Sequence, residues 1–235
     1  MRAQLTPEEF QTPRLAQELL SWVEQELRAI SAIEPKLDAA NNNAHLFKRL
    51  REEAYPLGIF ASLHFSQTKD IYIQLKLQNQ NYDAIIINQR NTPIPFKYIE
   101  VTQAHEGEDE YLREYVLQKE GHVNAFGPVI KQGTKTTGLH VEVKDVAVQH
   151  ETIQLKHLNL IDEAIKRKIG KSYPQNTALL VAFDDSVLRG DTQFHRMLHD
   201  LIEPILPSLC NFCWLAIVGR YCSTFIERDL RGMCG

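Results

Sequence analysis

The apolar positions of this chain change their period several times, and each change marks an element. Leu15, Leu19, Trp22, Val23, Leu27 and Ile30 lie three or four residues apart, which predicts one amphipathic helix. Ahead of it, Thr6-Pro7-Glu8-Glu9 offers a capping hydroxyl, a proline suited to the first helical position and a glutamate three residues after the cap. Helix is therefore expected over residues 6 to 30. A second helix is expected beyond Pro35, through the NNN stretch, ending near Ala54, because Tyr55 precedes a proline and is pushed out of the α region. From Leu57 the period moves toward two. IFASLHF alternates loosely, and Ile71, Ile73, Leu75 and Leu77 alternate with Tyr72, Gln74, Lys76 and Gln78 as in a half-buried strand.

AIIIN (84 to 88) and FKYIEVT (96 to 102) read as the next two strands, joined by RNTPIP. DEYLREYVLQKEG reads as a helix closed by glycine, and LHVEVKDVAV as a strand after the polar loop KQGTKTTG. HLNLIDEAIKRKIGKSYP is an amphipathic helix stopped at Tyr173-Pro174, TALLVAFDD a buried strand, TQFHRMLHDLIEPIL a helix, and FCWLAIVGRYCSTFI a final strand or pair of strands. Three strands with short links come first, and strands alternating with helices follow. This order predicts an α/β fold, a central mixed sheet flanked by helices, over residues 35–235, preceded by an N-terminal helical segment over residues 1–34. No internal repeat and no Gly/Ser-rich linker divides the chain.

Composition narrows the function. With 43% apolar and 24% charged residues in 235, the sequence matches soluble globular domains rather than disordered chains. MRAQLTPEEFQTPRL is too polar for a signal peptide, and no apolar run approaches the ~20 residues of a membrane span. The expectation is a cytoplasmic protein without a membrane partner. A formal charge of −4 argues against coating nucleic acid by bulk positive charge, though not against a local basic groove.

The candidate chemistry lies in the hairpin NYDAIIINQRNTPIPFKYIEVTQA. If RNTPIP is the turn, partners sum to about 185, Asp83 lies near Thr102, and Glu100 is diagonal to it, roughly 5 to 8 Å away at Cβ. Strand alternation points Tyr98, Glu100 and Thr102 to one face and Lys97, Ile99, Val101 and Gln103 to the other. Two carboxylates on one face repel unless a cation sits between them, and Mg²⁺ uses one or two carboxylates together with waters and substrate phosphates.

From LFKRLREEAYPLGIFASLHF through ALLVAFDD, the α-β-β-β-α-β order resembles the PD-(D/E)XK nuclease superfamily. So do the Asp of NYDAII and the Glu of YIEVTQA. The resemblance implies a restriction-endonuclease-like fold and Mg²⁺- or Mn²⁺-dependent hydrolysis of phosphodiester bonds. It implies metal ligation by Asp83 and Glu100, with Glu53 (or Glu52) as the helix glutamate the family often adds. Residues 105 to 156 would be an insertion. Where the family carries a lysine that orients the attacking water, this chain has Thr102. Three readings stay open. Thr102 and Gln103 do the polar work, or Lys166 on the later helix reaches in, or the site is dead and the fold only binds. Expected partners are nucleic acid, DNA ahead of RNA, and a second copy of the chain. The main rival is a non-catalytic binding or regulatory protein on the same scaffold; a small-molecule enzyme using the same acids is the third.

Other motifs have plainer readings. Lys166, Arg167, Lys168 and Lys171 can touch phosphates, but Asp162 with Lys166 and Glu163 with Arg167 are the i,i+4 pairs of a solvated helix face. IGKSY lacks the first glycine of a phosphate loop. His195 and His199 lack the glutamate of a zinc-protease motif, and read as helix-surface histidines. Cys210 and Cys213 form a C-x-x-C pair, but Cys213 leads into the apolar run FCWLAIVG and reads as core.

Overall fold

One seven-stranded sheet divides the apolar residues of the chain into two layers. The computed structural model describes residues 5–33, 42–77, 80–133, 138, 140–221 and 223–232. In chain order the elements are α1 (Pro7–Phe10), β1 (Arg14–Leu15), α2 (Ala16–Ile33), α3 (Asn42–Arg49), a π-helical turn (Leu50–Ala54) and α4 (Tyr55–His64). β2 (Ile71–Leu75), β3 (Ala84–Asn88), β4 (Tyr98–Ala104), α5 (Glu108–Glu120), β5 (Val129–Gln132) and β6 (His140–Val143) follow. The chain closes with α6 (His150–Lys166), β7 (Thr177–Phe183), α7 (Thr192–Ile202), a 3₁₀ turn (Leu206–Ser208), β8 (Trp214–Gly219) and β9 (Ser223–Asp229).

The sheet order is β1-β2-β3-β4-β7-β8-β9. β4, β7 and β8 are parallel neighbours, and the outer pairings are antiparallel. The α/β architecture with a mixed, helix-flanked sheet is as the pattern predicts. β7 shows the division between layers most clearly. Ala178, Leu180 and Ala182 join a core with α2, α3 and α4, while Leu179, Val181 and Phe183 join a second core with α6 and α7. The N-terminal segment shares the first core through Phe10, Leu19 and Val23, and Arg14–Leu15 pairs with β2. α5, β5 and β6 enclose a small separate core of Leu112, Val116 and Val141.

Two expectations fail between residues 50 and 65. Helix does not end at Tyr55, and IFASLHF is not a strand: it belongs to α4. Leu57, Gly58, Ile59, Phe60 and Ala61 are all buried, so α4 is apolar all round and carries no 3.6-residue signal in its sequence. Gly58 lets α2 approach so closely that a Cβ there would meet Leu20 Cα at 2.9 Å. Pro56 is accommodated because the preceding turn is π-helical: the Tyr55 N–H donates to the Leu50 carbonyl. Proline brings no N–H to the carbonyl four residues back, that of Glu52, and Gln103 Nε2 donates to that carbonyl instead at 2.5 Å.

Candidate functional site

β3 and β4 pair only briefly. Ala84 faces Ile99 and Ile85 faces Tyr98, two residues short of the register expected from RNTPIP. The connection is no tight hairpin turn. Asn88 holds a local turn by accepting from the Arg90 N–H and donating to the Thr92 carbonyl, and Phe96 is buried. A slip of two residues leaves every side chain on its expected face. Asp83 therefore lies across from Glu100 itself, its N–H donating to the Ile99 carbonyl at 2.8 Å.

Beyond that point the carboxylate of Asp83 replaces the backbone ladder. Val101 N–H donates to Asp83 Oδ2 at 2.8 Å. The strands part there, and charged side chains from three other segments fill the opening. Arg49, the last residue of α3, reaches Asp83 Oδ1 at 3.4 Å and holds Glu53 Oε2 at 2.6 Å. Lys168, in the turn after α6, lies 2.5 Å from Glu100 Oε1. The Tyr173 hydroxyl is buried with no hydrogen-bond partner among the described residues.

Three carboxyl groups, those of Asp83, Glu100 and Glu53, share two cationic side chains, Arg49 and Lys168. Burial, then the charge of Glu100, raises Asp83 from 3.8 to about 6, against the Val101 N–H, Arg49 and Lys168. Burial, then the charge of Asp83, raises Glu53 from 4.5 to about 8, against Arg49. Tyr173 is pushed up by burial and then by Glu100 and Asp83, so its phenol keeps its proton. Burial, the largest cause for both acids, makes their ionised forms costly here, and the neighbouring carboxylate adds to it.

The sequence-predicted residues divide accordingly. Asp83 lies across from Glu100, and Arg49 links Asp83 to Glu53. Thr102 is buried within β4 on the face of Glu100, and Gln103 is on the opposite face with the Glu52 carbonyl, where its role is to complete the π-helical turn. Lys166 is exposed and bonded to Asp162 at 2.6 Å, so Lys168, not Lys166, brings an ammonium to the acids. α6 ends at Lys166, and the last turn tightens there, the Lys168 N–H donating to the Ile165 carbonyl three residues back at 2.9 Å; Lys168 meets the sheet at Glu100. Arg49 and Tyr173 were missed; Arg49 is legible only as the i,i+4 partner of Glu53.

The remaining motifs take their plain readings. His195 stacks on Phe225, and His199 meets Glu203 and Arg228. Cys213 is free and buried while Cys210 is disulfide-bonded, so the two form no joint site. KQGTKTTG joins β5 to β6, with residues 134–137 outside the described residues, as are Cys222 and Cys234. No helix among the described residues is long and apolar enough to cross a membrane. No family model, curated protein or solved structure matches the chain.

Proposed function

We propose that the opening between β3 and β4 is a divalent-cation-dependent site for hydrolysis of phosphodiester bonds in nucleic acid, DNA ahead of RNA. One observation carries the reading: Lys168, from a different element, stands at Glu100 beside Asp83. The pattern of the PD-(D/E)XK superfamily lacks its lysine at Thr102, and Lys168 supplies the same charge to the same glutamate.

The donor set suits a hard cation. Asp83 and Glu100 offer carboxylate oxygens, and Mg²⁺ or Mn²⁺ needs only one or two of these besides water and phosphate. Glu53, paired with Arg49, would be a further carboxylate available to that cation. A cation bound there supplies Lewis acidity and a bound water of lowered pKa. The ammonium of Lys168 orients the attacking water and stabilises charge developing on phosphate oxygens in a half-buried setting, where such groups count most. Arg49 has only a long contact with Asp83, and is the side chain a cation displaces.

The test is cleavage of plasmid and of single-stranded DNA with Mn²⁺ by the purified chain and by Asp83→Ala, Glu100→Ala and Lys166→Ala variants. The first two lose activity and the third keeps it. Equal cutting by Asp83→Ala and the parent removes the proposal.

A second reading, a non-catalytic binding module, rests on the contacts already made by the acids. Arg49 and Lys168 occupy them, and among the described residues no three His, Cys, Asp or Glu side chains are grouped as a metal shell. Calorimetric titration with MnCl₂ separates the two: binding heat lost in Asp83→Ala supports the enzyme, and no heat from the parent supports the binder.

A further inference from the structure

Tyr173 joins the acid cluster to a cavity that the hydrolytic reading does not use. Its ring packs on Phe212 with centroids 4.5 Å apart, and its hydroxyl is buried near Glu100 and Asp83. It also forms one wall of a cavity of about 360 Å³, with Gln175, Asn176, Asn211, Phe212 and Arg231 among the others. That volume falls at the small end of the ~300–1,000 Å³ typical of ligand sites.

The segment carrying these groups is pinned from several sides. Asn176 is held at φ 61°, and its carbonyl accepts from the N–H groups of Lys97 and Tyr98. Asn81 Nδ2 donates to the Ser172 carbonyl, and Asn211 Nδ2 to that of Lys171, each at 2.7 Å. A surface loop fixed this firmly presents its side chains in a set geometry. Carboxamides carry a donor and an acceptor side by side and match base edges, aromatic rings stack on bases, and arginine suits phosphate and base faces. Among the described residues the cavity wall carries no carboxylate of its own, and its Arg231 is paired through Nε and Nη2 with Asp229 just outside it.

We propose that this cavity is a nucleotide subsite, receiving one unpaired nucleotide next to the phosphodiester held at Asp83 and Glu100, with the Tyr173 hydroxyl donating to the phosphate between them. The proposal rests on the hydrolytic reading for its substrate class and adds to it: the preferred substrate is single-stranded or has a splayed end.

Binding is measured by fluorescence anisotropy on the Asp83→Asn chain in EDTA, with a labelled single-stranded DNA and its duplex as probes. The single strand binds more tightly. The double variant Gln175→Ala/Asn176→Gly, in which glycine keeps the positive φ, weakens it roughly tenfold, as expected for two lost hydrogen bonds. A strand carrying 5-iodouracil crosslinks to Tyr173 or Phe212. Unchanged affinity in the folded double variant, crosslinks elsewhere, or preference for the duplex overturns the subsite. The readout needs neither metal nor cleavage, so the two proposals fail separately. Asp83-dependent cutting with unchanged binding in the double variant removes the subsite alone; strand binding at the cavity without any cutting removes the hydrolytic reading alone.

Discussion

Asp83→Asn should make the metal-free protein more stable. The substitution keeps the shape of the side chain and an oxygen able to accept from the Val101 N–H, but removes a charge that burial and Glu100 oppose. The sign follows from the titration. Below 3.8 the carboxyl is protonated in both the folded and unfolded chain, and nothing is lost. As pH rises from 3.8 to about 6, the unfolded chain ionises while the folded one retains its proton, so a destabilising contribution grows and is fully present above about 6. With the side chain only 16% exposed, the change amounts to about 3 kcal/mol at 1.36 kcal/mol per tenfold. For a chain of this length that corresponds to a rise in Tm of roughly 5–10 °C. Thermal unfolding of parent and variant should show this gap at about pH 7.5 and only about 0.5 kcal/mol of it at about pH 4. Mn²⁺ should reverse the order, raising the Tm of the parent and leaving the variant unmoved. A variant no more stable than the parent at neutral pH, or a gap independent of pH, refutes the charge balance drawn for this cluster.

Lys168→Met should lower Mn²⁺-dependent cleavage by about 10²–10³-fold without weakening Mn²⁺ binding, because it removes a positive neighbour of the cation site; equal losses in calorimetric affinity and turnover would contradict the role given to Lys168. Cation affinity should climb as pH rises past about 6 and on toward about 8, as Asp83 and then Glu53 give up their protons, and Glu53→Gln should remove the upper part of that rise in a pH series of titrations. Gln103→Leu leaves the Glu52 carbonyl without its donor and should cost about 1–2 kcal/mol in urea unfolding, whereas Lys166→Ala, a surface change, should shift the midpoint little.

Regular periodicity made most of the sheet legible in the sequence. β2 is read from strict alternation, β7 from a continuous apolar run bounded by polar residues, and α6 from its amphipathic stripe. α4 was not legible, because a helix buried on every side has no polar face to set its period. The pairing of β3 with β4 was correct in face and wrong in register, since a nine-residue connection with a buried Phe96 does not behave as a tight turn. At the site, the acids were readable because carboxylates interrupting apolar strands are unusual. Their counter-ions were not. Lys168 and Arg49 arrive from helix ends, where a change of chain direction decides what a side chain meets, and helix-face spacing points instead to Lys166.

The π-helical turn at Leu50–Ala54 separates two demands made on one continuous stretch of helix. α4 cannot rotate, because Gly58 is locked against Leu20, yet the residues just before it must aim Arg49 and Glu53 at Asp83. An extra residue in a turn offsets everything upstream by about 100°, the angular step of one helical residue. Deleting Ala54 should therefore leave a helix that still packs on the sheet while swinging Arg49 and Glu53 out of reach of Asp83. The cluster would be taken apart with all of its members still in the chain.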